Sequence, residues 1–265
     1  MKIFIGWDQR DLNAYLVLKH TILTHCTIPV DIIAIREHQM RAMKLYWRGY
    51  TVCDGFSNDY PNGQMIDKLD GKPFSTGFSF TRFLVPELCE FKDEWVLFMD
   101  ADMMFRSDPA ELQQYFSDTQ AIVCVKHSYE PPDTHKMDGV VQQVYRRKNW
   151  SSFMLMNPSR CKALTSTLVN TARGSYLQSF AWLNDDSLIG ELPPEWNFLC
   201  GHHDPKKIDP KMVHFTRGTP DMGWNHEPFS DEWYLYYCEA DAELLFDHDG
   251  ADPNEFNPGS RSVHR

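Results

Sequence analysis

Two acids stand two positions apart at the end of a bulky apolar run, Trp95-Val96-Leu97-Phe98-Met99-Asp100-Ala101-Asp102. In an extended chain residues i and i+2 point to one face, so Asp100 and Asp102 can converge on a single cation. Two hard carboxylate donors at a strand exit suit Mg2+ or Mn2+ with positions left open for the oxygens of a diphosphate. The apolar residues ahead of the pair predict a central strand of an α/β sheet, and ligands of such sheets lie beyond the carboxyl ends of the strands. The plainer reading, acids that cap the turn after a buried strand, keeps the strand and removes the chemistry.

The elements that must position this pair read as an alternation of strands and helices. Strands are expected at 2–6, 30–35, 95–99, 121–126, 153–156 and 212–216. Helices are expected at 12–24, where Leu12, Tyr15, Leu16, Leu18, Ile22 and Leu23 approximate one face, and at 79–88 and 160–172. Pro109 opens another, and Asp186-Ser187-Leu188-Ile189 a short one before the Pro193-Pro194 break. This order predicts an α/β fold with a mostly parallel central sheet and helices on both faces. No Pro/Gly/Ser-rich stretch divides the chain, so residues 1–246 are read as one domain, and 247–265 as a polar surface tail.

Of the 265 residues 42% are hydrophobic and 14% aromatic, enough for a sizeable core. A formal net charge of -11 gives no basic footprint for nucleic acid or an anionic membrane, and the one basic run, 144–148, reads as a solvated loop. No apolar stretch approaches the length of about 18 residues that spans a bilayer, and the N-terminus turns polar too early for a signal peptide. The expectation is a soluble, cytoplasmic protein. Seven cysteines scattered singly, without Cys-Xaa-Xaa-Cys pairs, read mostly as small core residues rather than a disulfide framework or a zinc site.

Several separated segments across residues 2–226 together resemble the glycosyltransferase A fold. Within it they resemble the family 8 retaining enzymes of the glycogenin and bacterial lipopolysaccharide galactosyltransferase type. The segments are Ile3-Phe4-Ile5-Gly6-Trp7-Asp8 with Ala14-Tyr15, Phe80-Thr81-Arg82-Phe83-Leu84, the Asp100-Ala101-Asp102 step, Trp182-Leu183-Asn184-Asp185-Asp186 and Met212-Val213-His214-Phe215-Thr216. The resemblance implies that Asp8, with Tyr15 near it, faces the uracil of a UDP-sugar. It implies that Arg82, with Asp100 and Ala101, contacts the donor sugar and diphosphate, a task suited to a planar, permanently charged fork. His214 would join Asp100 and Asp102 as the third metal ligand, a donor set that suits Mn2+, with Mg2+ the alternative.

Two segments depart from the family pattern. After its histidine the family continues through a glycine and a lysine that grip the diphosphate. Here Arg217-Gly218-Thr219-Pro220 follows without the lysine, so Arg217 and Gly218 stand as the substitutes. Asn149 in Lys148-Asn149-Trp150-Ser151-Ser152 is displaced by one position from the family's donor-sugar asparagine. Read alone it is a turn residue. Asn184, Asp185 and Asp186 match the family's acid-rich helix start beneath the anomeric carbon, with Asp185 and Asp186 as catalytic acids; read alone they cap a helix.

The implied reaction is metal-dependent hexosyl or pentosyl transfer from a UDP-sugar to a hydroxyl acceptor with retention, by front-face attack or through a transient adduct on Asp185. A saccharide or glycan is the expected acceptor, contacted by 136–150 and the aromatic-rich 224–237. A modified DNA base is a minority alternative that the acidic charge disfavours. Two readings from other classes compete. A haloacid-dehalogenase-type phosphohydrolase shares the strand and acids but expects a small pair where Met103-Met104 stands. An inactive sugar-nucleotide-binding module would bind the donor without turnover.

Overall fold

The computed structural model describes residues 1–53, 64–128 and 147–246. Among them the strands are β1 (Lys2–Trp7), β2 (Asp31–Arg36), β3 (Tyr50–Cys53), β4 (Gln64–Asp67), β5 (Pro73–Phe74), β6 (Val96–Met99), β7 (Met103–Phe105), β8 (Ile122–Val125), β9 (Phe153–Met156), β10 (Ile189–Leu192), β11 (Phe198–Leu199) and β12 (Met212–His214). Six form a central sheet in the order β10-β8-β9-β6-β1-β2. β1 runs parallel to β2 and β6, and β8 parallel to β10. Only β9 is reversed, antiparallel to both β6 and β8. Because a reversed strand separates them, β6 and β8 still point the same way, and the five parallel strands open their carboxyl ends on one edge. This is the α/β, mostly parallel arrangement expected from the sequence.

The period of two in the strand residues sorts the core onto two faces. Val96, Phe98, Met154 and Met156 pack on one side with Phe78, Phe80, Phe83 and Leu84. Leu97, Met99, Phe153 and Leu155 pack on the other with Ala14, Leu18 and Ile22 of the helix Leu12–His25. Burial on both faces explains why these strands are continuous apolar runs with no polar alternation. At the end of β1, a Cβ on Gly6 would lie 2.4 Å from the Phe78 ring. Glycine there lets segment 75–82 press across the carboxyl edge of the sheet.

Three expected helices differ from the structure. The segment 79–88 is helical but broken into Phe78–Thr81, a 3-10 turn Arg82–Leu84, and Val85–Leu88. Pro86 has no N–H to return to the carbonyl of Arg82, so a continuous α-helix cannot pass. Of 160–172 only Ser166–Thr171 is α-helical, because Thr165 Oγ1 accepts from Leu168 N–H at 3.3 Å and starts a fresh helix there. The helix expected from Asp186 is a single 3-10 turn, Asp186–Leu188, followed by the edge strand β10. Pairing with β8 from Ile189 to Leu192 overrides the local helical signal.

The expected strand 212–216 ends at His214. The hairpin β3-β4-β5, strand β7 and the helices Glu37–Ala42 and Ser230–Phe246 carry no expectation from sequence. The tail 247–265 and the expected acceptor segment up to residue 146 lie outside the described residues. Among the described residues no helix is long and apolar enough to cross a membrane. The cysteines are free thiols, and burial pushes Cys124 and Cys161 up to about 12.

Candidate functional site

The acid pair leaves β6 at its carboxyl end, where the central sheet meets a smaller one ordered β11-β12-β7. Asp100 N–H donates to Ser152 O at 2.9 Å, tying the first acid to the entry of β9. Phe215 N–H donates to Asp102 O at 2.9 Å, tying the second to the exit of β12, and β7 pairs Met103 with His214. Ala101 between them is fully buried. The Asp-Ala-Asp step is therefore a bridge between two sheets, held by its backbone, with the carboxylates left to face the cleft. Ligand atoms of Asp100, Asp102 and His214 all lie within 4.8 Å of one another.

The state of His214 follows from a chain of buried hydrogen bonds. Asn149 O can only accept, so Ser152 Oγ donates to it at 2.7 Å. Ser152 Oγ must then accept from Asn197 Nδ2 at 3.0 Å, which turns Asn197 Oδ1 towards His214 Nδ1 at 2.9 Å. His214 therefore carries a proton on Nδ1, which leaves Nε2 as the ring nitrogen turned to Asp102 Oδ1, 3.4 Å away. One imidazole nitrogen beside two carboxylates is a donor set that fits a divalent cation, which Nε2 binds in its unprotonated form. Asn197→Leu, which cannot accept from Nδ1, is expected to weaken any divalent-cation binding at this cluster by about 10- to 100-fold in calorimetric titration.

Arg82 sits where the sequence places it. Its Nη1 lies 2.9 Å from Asp100 Oδ1 and donates to Ser151 O at 2.9 Å, while Nε donates to Phe78 O. Around the acids the cleft is further lined by Asp11, Lys148, Asn149, Gln178 and Gly218, with hydroxyls of Ser75, Thr76, Ser79 and Thr216. Asn149 takes a left-handed conformation, φ 63°, at the turn into β9. Burial first, then the charges of Asp102, Asp8 and Asp100, push the Asp11 carboxyl well above the usual carboxylate range. The carboxylates near Asp11 add to the effect of burial, and both favour its neutral form.

Asp8, Tyr15 and Arg217 are not among the residues that line the cleft. Asp8 accepts from Arg10 Nε at 3.0 Å, Arg10 Nη2 at 2.9 Å and Gly77 N–H at 2.9 Å, so both carboxylate oxygens are engaged. Burial would raise its pKa, but the Arg10 contacts and the Gly77 N–H outweigh it and hold the carboxyl low. Tyr15 is half-buried near the start of the helix Leu12–His25 and packs against the core. Arg217 turns from the cleft to Glu227 Oε1 at 3.2 Å, with its guanidinium over the Trp224 ring. Arg217 is not among the residues that line the cleft, whereas Gly218 is.

Asn184, Asp185 and Asp186 are exposed and do not reach the cleft lining. Asp185 accepts from Ser187 N–H at 2.8 Å as a turn cap, and Asp186 pairs with Arg147 at 2.6 Å. Their turn enters β10 at its amino end, and β10 runs parallel to β8. They therefore sit at the strand end opposite the one from which Asp100 leaves. The two acids that the resemblance puts beneath an anomeric carbon are thus not among the residues that line this cleft.

Asp11, Lys148, Gln178 and Asn197 are the residues that sequence reasoning missed. Asp11 had a signal, three residues after Asp8 and ahead of an amphipathic helix. Gln178 had none: its Nε2 donates to Ser79 O at 2.8 Å and its Oε1 accepts from Ser151, contacts across 99 and 27 residues.

No protein-family model matches the chain. Among solved structures it resembles the bifunctional glycosyltransferase WbbM, with TM-score 0.54 and 15% identity over 92% of this chain. It spans only 50% of that protein. It also resembles GlyE of Streptococcus pneumoniae TIGR4, with TM-score 0.52 and 13% identity over 92% of this chain and 63% of that one. The galactosyltransferase LgtC, solved with donor and acceptor sugar analogues, gives TM-score 0.52 and 11% identity over 90% of this chain and 96% of that one. These likenesses show the glycosyltransferase A fold. At the level of sequence, Protein CDI of Arabidopsis thaliana is 41% identical over 257 residues, 94% of this chain and 91% of that protein. The chain therefore belongs to the family of Protein CDI, built on a glycosyltransferase A fold.

Proposed function

We propose that this chain transfers a sugar from a UDP-sugar to a hydroxyl of a saccharide or glycan, with retention of configuration, using Mn2+ held by Asp100, Asp102 and His214. The observation that carries the reading is the convergence of those three ligand atoms within 4.8 Å at the carboxyl end of β6. The fold shared with solved glycosyltransferases supports it. When bound, the cation supplies Lewis-acid neutralisation of the departing diphosphate.

The chain's own residues do the rest. Asn197 keeps the His214 lone pair directed at the cation site. Arg82, buried and fixed by Phe78 O and Ser151 O, holds Asp100 in place and presents its fork to the donor. Ser75, Thr76, Ser79 and Gln178 supply neutral hydrogen-bonding groups suited to sugar hydroxyls. Because Asp185 caps its own turn, an adduct on it has no footing, and front-face attack is the retaining route this cleft favours.

A turnover assay tests the reading: UDP release from UDP-sugars with Mn2+ and a saccharide acceptor, with and without a chelator. Release is expected only without the chelator, and UDP should bind more tightly than CDP. Full activity under chelation, or equal affinity for the two nucleotides, would overturn it. UDP binding without turnover would favour the inactive binding module instead.

A further inference from the structure

We propose that Lys148, on the turn before β9, supplies the positive charge that meets the diphosphate of the donor, the role the family pattern gives to a lysine after its histidine. The inference rests on the reading of the cleft as a metal-diphosphate site. Its first support is the fate of Arg217, which is held by Glu227 and the Trp224 ring and does not line the cleft. Lys148 does line it, together with Asp11, Arg82, Asp100 and Asp102, and is only 7% exposed. Among the described lining residues it is the one lysine.

The backbone around it is the second, independent support. Arg147 and Asn149 flank Lys148 in left-handed conformations, φ 65° and 63°, unfavourable for residues with a Cβ. Such a turn persists only where its surroundings over-determine it, and here both flanks are clamped. Arg147 donates to Ser179 O at 2.8 Å, pairs with Asp186 at 2.6 Å and lies over the Trp150 ring. Asn149 O accepts from Ser152 N at 3.3 Å and Ser152 Oγ at 2.7 Å. Two strained residues held from both sides fix the backbone that carries the lysine, a residue that lines the cleft together with the acids.

Charge points the same way. Arg82 faces Asp100, so part of its charge is offset by an acid of the cleft. With a divalent cation on the acid pair, a diphosphate still brings excess negative charge. A lysine ammonium binds phosphate as a point charge, and its attraction strengthens in a buried cleft. The exposed turn at Asp185 and Asp186 also gains a purpose: Asp186 holds Arg147, and through it the presentation of Lys148.

The test is calorimetric titration of wild type, Lys148→Met, Lys148→Arg and Arg217→Met with Mn2+ alone, pyrophosphate plus Mn2+, and UDP plus Mn2+. Lys148→Met should weaken both phosphate ligands by about tenfold or more and leave Mn2+ alone unchanged, Lys148→Arg should restore much of the loss, and Arg217→Met should bind like wild type. Unchanged phosphate binding by a folded Lys148→Met, or a loss confined to Arg217→Met, would overturn the inference. Wild type that binds Mn2+ but neither phosphate ligand would overturn it together with the proposed function. Phosphate binding by wild type with the Lys148 variants unaltered overturns this inference alone.

Discussion

Asp102→Ala is expected to lower sugar transfer by about 10²-fold or more and to remove most Mn2+ affinity. A loss of only ~2.7 kcal/mol of transition-state stabilisation has that effect on rate. The substitution is a clean probe because the structural work at this position is done by the backbone. Asp102 O accepts from Phe215 N–H, and its neighbours Ala101 and Met103 are the fully buried residues. The side chain can be removed without touching either contact, so the melting temperature should hold while the cation is lost. Initial rates and Mn2+ titration on the same preparation check this. Transfer unchanged in Asp102→Ala would refute the cation site even if UDP still binds.

The second large effect concerns stability. Arg48 and Asp67 are 2% and 1% exposed and form a two-pronged pair, Nε to Oδ1 at 3.0 Å and Nη2 to Oδ2 at 2.6 Å. Arg48 Nη1 also donates to Val169 O at 2.9 Å and Ala172 O at 2.6 Å, and its guanidinium lies 4.1 Å from the centre of the Phe80 ring. The pair thus ties β4 to the helix Ser166–Thr171 and to the segment that carries Arg82. Asp67→Ala leaves a buried guanidinium without its counter-charge, which destabilises by about 3–5 kcal/mol. In a chain of this size that lowers the melting temperature on the order of 10 °C. The double variant Arg48→Met/Asp67→Leu removes both charges and is expected to recover most of the loss, since well-packed apolar replacements of such pairs are often near neutral. Equal melting temperatures for the single and double variants would show that packing, and not the stranded charge, sets the effect.

The sequence by itself determined the α/β class and the central strand, and it named the three residues whose ligand atoms the fold brings within 4.8 Å of one another. Asp100 and Asp102 are legible because strand period and strand end are local properties: an apolar run buried on both faces, then two acids on one face. Arg82 and His214 are legible because each sits in its own helical or strand pattern at a place the resemblance names. Asp185, Asp186 and Arg217 matched the same resemblance and yet lie outside the cleft. What placed them was the pairing of β10 with β8, the pull of Arg147 on Asp186 and that of Glu227 on Arg217.

Only the tertiary structure decided the direction of β9, the exchange of an expected helix for β10, and the roles of Asp11, Lys148, Gln178 and Asn197. The hydrogen bonds that fix the state of His214 run from residue 149 through 152 and 197 to 214. The turn that aims Lys148 is held by Ser179 and Asp186, more than 30 residues away. Local pattern reports which face of an element is apolar. It carries no record of which strand lies beside it or which distant carbonyl completes a buried hydrogen bond, and in this cleft those long-range partners set where each polar side chain points.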